Sequence, residues 1–348
     1  MADPALLDLP FDALCARLSA MGEPAYRAQQ IWHAIYRDLA ETYDDMTTLP
    51  VRLRAELTER LPLGHLVPEA TQESPDGRTS KTLLRLGDGE AIEAVSMCYD
   101  DRRTVCISTQ VGCAMGCRIC ATGAGGLTRD LSPGELVGQV VHAARGFRRD
   151  GRRLTNVVYM GMGEPFANYD ATLTSIRILN DPRGFGLGAR SFTVSTVGIV
   201  PAIQQFTEEG LQVNLAVSLH AAKDGLRNRL LPINQTYPLD PLLRACRRYV
   251  SRTNRRITFE VALIAGINDS TSHAREVAGL LDGLLCHVNL IPFNPIPDLA
   301  WKRSPDTCVR AFAGTLEKRG IPVTIRASRG VEIQAGCGQL RAVCTDGD

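Results

Sequence analysis

Three cysteines, Cys113, Cys117 and Cys120, fall in one short stretch, VGCAMGCRICATG, with the spacing CxxxCxxC. Iron–sulfur clusters are normally held by four Cys thiolates, and structural zinc sites are likewise closed by four protein ligands. A loop that offers three thiolates with no obvious fourth predicts a 4Fe–4S cluster whose remaining iron is open to a small molecule. Chance clustering in a Cys-rich chain, or a zinc ion completed from elsewhere, are the alternatives. Gly112, Gly116, Gly123, Gly125 and Gly126 let the backbone wrap a cubane-sized object tightly.

Other residues have types suited to chemistry at the same place. Gly163 and Glu164 in GMGEP, Ser195 in VSTVG, Ser218 and His220 in SLHA, and Asn294 in IPFNP each stand at the C-terminal end of an apolar, strand-like run. Cys337 lies between Gly336 and Gly338 in a polar segment, where packing gives little reason for a thiol. Flanking glycines suit a side chain that must visit two positions. Cys106 reads as core from its apolar strand, as do Cys15, Cys98, Cys246, Cys286, Cys308 and Cys344. Glu93 reads as an exposed strand carboxylate, and His220 as either a base or a satisfied barrel histidine.

The elements that must position these residues follow from pattern. Residues 1–75 read as helices, with apolar positions three and four apart in FDALCARLSAMG, YRAQQIWHAIYRDLA and PVRLRAELTERL. Residues 76–104 form a hairpin extension, KTLLRL and AIEAVSMC joined at Gly87-Asp88-Gly89. From 105 to 348, apolar strands alternate with helical segments, one starting at Ser132-Pro133. That alternation predicts an α/β fold with a parallel sheet, a partial or full (β/α) barrel, with a doubly wound sheet as the alternative. Barrel active sites lie at the C-terminal rim, where the polar residues above fall.

Composition is ordinary for a soluble globular protein: 348 residues, 44% hydrophobic and 22% charged. No signal peptide or membrane-spanning run is present in the sequence, which predicts a cytoplasmic, reducing location. Net charge is +1, so bulk electrostatics do not announce a nucleic acid. Two arginine clusters, Arg145 to Arg153 and Arg244 to Arg256, read as solvated helix ends before they read as RNA-binding patches.

The cysteine loop after the first barrel strand resembles the radical S-adenosylmethionine superfamily. There the open iron binds the amino and carboxylate groups of S-adenosylmethionine, and one electron splits the sulfonium. Taken with Cys106, Cys337, GMGEP, VSTVG, SLHA and IPFNP, the chain from about residue 80 onward resembles the RlmN/Cfr family of RNA adenine methyltransferases. Its N-terminal helices resemble that family's small RNA-contacting domain. The chain departs from the family pattern at Ile119, Leu127, Glu332, Gln334 and Gly336.

The resemblance implies one 4Fe–4S cluster on Cys113, Cys117 and Cys120, and two S-adenosylmethionine molecules per turnover. It makes Cys337 the methyl carrier, Cys106 its resolving partner through a disulfide, and Glu93 a proton acceptor. Gly163, Glu164, Ser195, Ser218, Leu219, His220 and Asn294 would surround S-adenosylmethionine, with Glu164 accepting from its ammonium. The implied substrates are 23S ribosomal RNA and tRNA, methylated at adenine C2, or at C8 in the antibiotic-resistance branch. A low-potential donor such as flavodoxin or ferredoxin and a monomer working away from membranes complete the expectation.

Overall fold

The structure, a computed structural model, describes residues 4–64, 66–296, 299–326 and 329–342. Cys344 lies outside these. Three helices open the chain: α1 (Phe11–Ala20), α2 (Tyr26–Tyr36) and α3 (Val51–Arg60). They bury the residues their spacing predicts, among them Leu14, Leu18, Ile31, Trp32, Leu53 and Leu57. The helical reading runs too far, however. Leu66–Glu73 is a strand, β1, antiparallel to β2 (Thr79–Leu86). Nearly all of β1 is exposed, so it carries no apolar alternation, and pairing with β2 organises it.

β2 turns back into β3 (Ala91–Cys98) at the predicted hairpin, with Arg85 opposite Ala91 and Thr79 opposite Met97. β3 then pairs antiparallel with β4 (Arg103–Cys106), so the hairpin continues the main sheet. A separate two-stranded ribbon, β5 (Gln110–Gly112) and β6 (Leu127–Asp130), brackets the cysteine loop and the short α4 (Ala121–Ala124). Next comes α5 (Pro133–Arg149), opened as the sequence predicts. Ser132 Oγ accepts Glu135 N while Glu135 accepts Ser132 N, a reciprocal cap with proline in the first turn.

The remaining units alternate: β7 (Asn156–Tyr159), α6 (Tyr169–Asn180), β8 (Phe192–Thr196), α7 (Val200–Glu208), β9 (Asn214–Ser218), α8 (Asp224–Leu230), α9 (Leu239–Thr253), β10 (Ile257–Leu263), α10 (Thr271–Leu280), β11 (Cys286–Pro292), α11 (Asp306–Glu317) and β12 (Val323–Ile325). The ten-stranded sheet runs β1-β2-β3-β4-β7-β8-β9-β10-β11-β12, parallel from β4 onward. Strand order never reverses, which excludes a doubly wound sheet. The sheet is an open, partial barrel. β10 is buried along almost its whole length, as a parallel strand covered on both faces must be.

The first arginine cluster is mostly exposed, as solvated helix ends are, but two of its side chains also tie α5 to the N-terminal helices. Arg145 donates to the carbonyls of Leu39 and Ala40, and Arg148 to those of Arg37 and Asp38, just past the end of α2. In the second cluster Arg248 and Arg252 pair with Glu208, and Arg244 with Asp240. Among the described residues, no helix is long and apolar enough to cross a membrane.

Candidate active site

The cysteine loop begins at Gly112, whose φ of 76° is the left-handed region. A Cβ there would lie 2.1 Å from Gly126 O, so only glycine lets the ribbon close this tightly. Cys113 N donates to the same Gly126 carbonyl, and Cys120 N to Cys117 O. Cys113 and Cys117 are buried and Cys120 half-buried. All three line a cleft enclosing ≈ 1040 Å³ of space, counting its open mouth. Burial pushes the Cys113 thiol up to about 11.

The strand ends complete this cleft: Gly163, Glu164, Ser195, Ser218, His220 and Asn294 all line it with Cys337. Glu164 is held from three sides. Its own N–H donates to Gln110 Oε1 at 2.8 Å, and its carboxylate accepts Phe166 N at 3.1 Å and Val197 N at 2.9 Å. Desolvation raises its pKa to about 7, against those donors, which favour the ionised form. Gly163, at φ 97°, runs against Gln110, leaving no room there for a side chain.

His220 is neutral. Burial, with help from Arg227, lowers its pKa to about 3, and its Nδ1 accepts Ala262 N at 2.9 Å. The satisfied-histidine reading is therefore the structural one. Leu219 does not face the cleft; its side chain is fully buried in the main core. Asn294 is engaged as well, donating to Cys337 O at 3.1 Å.

The tail is docked on the cysteine loop. Ala121 N donates to Gly338 O at 2.7 Å, and Thr122 Oγ1 to Leu340 O at 2.6 Å. Cys337 is accessible through the cleft mouth, although it sits deep among protein atoms. It also lines a smaller cavity with Cys106, Tyr99, Arg326 and Arg329. Burial raises both thiols, Cys106 to about 12, and the Arg326 guanidinium opposes that rise at each. The ten described cysteines are all free thiols.

Glu93 is not an exposed carboxylate. It is buried, paired with Lys81 Nζ at 2.8 Å, and accepts Arg341 N at 2.8 Å. It anchors the tail four residues past Cys337 and does not line the cleft.

Comparison with known proteins decides the family. Residues 107–277 match the radical SAM superfamily, and residues 5–62 match the ribosomal RNA large subunit methyltransferase N-terminal domain. A protein of Geobacillus kaustophilus named "Probable dual-specificity RNA methyltransferase RlmN" is 46% identical over 97% of this chain and 93% of its own length. A relative of the same name from Frankia alni is 50% identical over 97% of this chain and 83% of its own. The crystal structure of a radical SAM methyltransferase from Sphaerobacter thermophilus superposes with a TM-score of 0.96, at 56% identity, covering 97% of this chain and 99% of that one.

The chain belongs to the RlmN family of radical SAM RNA methyltransferases. Radical SAM proteins use S-adenosylmethionine and a 4Fe–4S cluster, and the residues present fit both. Three thiols converge on one cleft, and Gly112 lets their loop close. Among the described residues, no three His, Cys, Asp or Glu side chains are gathered to hold a single metal ion. A cubane, which spreads its sulfur ligands over separate irons, suits that arrangement better than lone zinc does. The buried Glu164 carboxylate offers a counter-charge to an ammonium.

Pattern reading missed three residues of this RlmN-type site. Gln110 links the ribbon to Glu164 and donates to Asp130 Oδ1 at 2.6 Å. Glu260 and Arg326 line the cleft; Glu260 Oε1 accepts Asn289 Nδ2, and its Oε2 has no partner. A carboxylate inside the apolar run ITFEVAL, and an arginine just past a rim strand, were the available signals.

Proposed function

We propose that the chain methylates adenine C2 in 23S ribosomal RNA and in the adenosine 3′ to the anticodon of some tRNAs. It works in the cytoplasm as a monomer, with a low-potential donor such as flavodoxin or ferredoxin. The observation that carries this reading is the place of Cys337, which borders both the cleft of the three cysteines and the small cavity of Cys106. A methyl carrier needs access to a donor on one side and to a resolving thiol on the other.

When bound, the cluster and two S-adenosylmethionine molecules supply an electrophilic methyl group and then, by one-electron cleavage, a hydrogen-abstracting radical. Cys113, Cys117 and Cys120 hold the cluster, and Glu164 orients the methionyl ammonium. Cys337 accepts the methyl group as a thiolate, which the Arg326 guanidinium favours. After losing one hydrogen atom, the S-methyl carbon bonds to the adenine, joining RNA to protein through Cys337, and the adduct gives up one electron, for which a bound cluster would be the acceptor. Glu93 takes the proton that leaves the adenine carbon. Because Glu93 holds Lys81 and Arg341 here, that role requires the tail to shift.

Cys106 then attacks the Cys337 sulfur. A Cys106–Cys337 disulfide forms, the bond from Cys337 sulfur to the transferred carbon breaks, and that carbon is protonated to the product methyl. Two electrons from the donor restore the thiols.

Anaerobic reconstitution followed by mass spectrometry of the Cys337 peptide tests the reading. A methylated thiol and 2-methyladenosine in the RNA are expected. Product consisting only of 8-methyladenosine would overturn the choice of carbon, and full turnover by Cys337→Ala would overturn the carrier.

A further inference from the structure

Arg227, on α8, is fully buried. Nε donates to Leu219 O at 3.1 Å, Nη1 to Asn234 Oδ1 at 2.6 Å, and Nη2 to Val197 O at 2.7 Å and Ser218 O at 2.9 Å. All four acceptors are neutral. Asp224 makes no direct hydrogen bond to this guanidinium; it acts at a distance and through Asn234, whose Nδ2 donates to Asp224 Oδ1. A buried cation without a directly paired anion is disfavoured, so a negative charge nearby would be stabilised by it.

The cysteine loop rests on this helix. Arg118 N donates to Leu230 O at 3.0 Å, and Cys117 packs in one apolar cluster with Leu230 and Leu231, the turn after Arg227. A negative charge held at Cys117 would act on Arg227 more strongly than Asp224 does. The same guanidinium reaches the cofactor side by a second route. It holds the carbonyl of Val197, and the N–H of Val197 donates to Glu164 Oε2.

We propose that Arg227 is the electrostatic partner of the cluster, favouring its reduced state, and a positioning residue for the Glu164 carboxylate. This inference rests on the cluster reading above. A 4Fe–4S cluster on three thiolates is anionic. One electron from a low-potential one-electron donor enters the cluster, no bond forms or breaks, and one negative charge is added. A fixed cation in a low-dielectric setting stabilises the reduced form more than the oxidised one. No carboxylate pairs directly with Arg227 among the described residues, so Asp224, acting at a distance, offsets that field only in part.

The test compares reconstituted wild type, Arg227→Gln and Arg227→Lys by redox titration followed by EPR, with iron and sulfide content measured on each. Arg227→Gln is expected to lower the reduced-to-oxidised ratio at fixed potential about tenfold, a downward shift of about 59 mV for a one-electron couple. Arg227→Lys keeps the charge but cannot reach all four acceptors. Its ratio is expected to stay within about twofold of wild type, while S-adenosylmethionine affinity, measured by equilibrium dialysis, falls at least about fivefold.

Equal potentials for wild type and fully loaded Arg227→Gln overturn the electrostatic role. Should the Gln variant fail to fold, a tenfold drop in the Lys variant overturns it instead, and unchanged affinity in the Lys variant overturns the positioning role. A wild-type protein that takes up no iron and sulfide sinks the cluster reading itself, a result distinct from either.

Discussion

The backbone N–H of Ala121, one residue past the last cysteine of the loop, donates to the carbonyl of Gly338, one residue past Cys337. Two segments more than two hundred residues apart in sequence are thereby fixed against each other at the point where both carry a cysteine that lines the cleft. The side-chain bond from Thr122 to Leu340 O repeats the tie. Distance in the chain is cancelled by two hydrogen bonds.

Gly338 is the weak point of that tie. Its φ is 82°, and a Cβ there would lie 2.7 Å from Ile119 O. Gly338→Ala is expected to cost about 1–3 kcal/mol of local strain and to lift the tail from the loop. Iron content should be unchanged while methylated Cys337 peptide falls at least about tenfold. Normal methylation by this variant contradicts the docked geometry.

The two thiols of the small cavity should separate by phenotype. Cys337→Ala is expected to give no methylated peptide and no RNA product. Cys106→Ala should still load methyl on Cys337 and accumulate a protein–RNA adduct resistant to denaturation, visible as a shifted gel band. Free release of RNA product by Cys106→Ala would remove the resolving role.

Glu164 makes the apo protein's stability depend on pH in a defined direction. Its folded pKa, about 7, lies above the ordinary value of 4.5. Its contribution to folding is therefore complete below about pH 4.5 and is lost as pH rises through about 7. The full swing is about 3 kcal/mol. Urea denaturation of wild type and Glu164→Gln at several pH values checks this. The difference between them should grow across that window and level off above it, and a flat difference refutes the assignment.

Lys81 and Glu93 form a nearly enclosed ion pair, with side chains 12% and 6% exposed. Lys81→Met leaves the carboxylate buried without its cation and is expected to cost about 3–5 kcal/mol. Because Glu93 also accepts Arg341 N, the loss should appear as faster hydrogen exchange in residues 337–342. The double variant Lys81→Met with Glu93→Gln should recover much of the stability, which calorimetry can read.

How much of this was legible beforehand depended on how local each signal was. The cysteine loop, the Ser132 cap and the Gly87–Gly89 turn were readable because ligand type, spacing and turn chemistry act within a few residues. The exposed β1 carried no pattern of its own. Leu219 turns its side chain into the core just past the end of β9, where His220 takes a left-handed φ that no strand pattern announces. Glu93 looked ordinary because its partners, Lys81 and Arg341, meet it only after folding. Arg227 was invisible for the same reason, since its acceptors come from three separate segments.

The sheet starts at β1 and ends at β12 without the two edges meeting. Its wall is therefore a letter C rather than a ring, and the tail bridges the gap, held by Glu93 of β3 on one side and by Asn294 and Pro295 after β11 on the other. A wall closed by a strap of chain can widen when a few hydrogen bonds let go, which a tube closed by strand pairing would forbid.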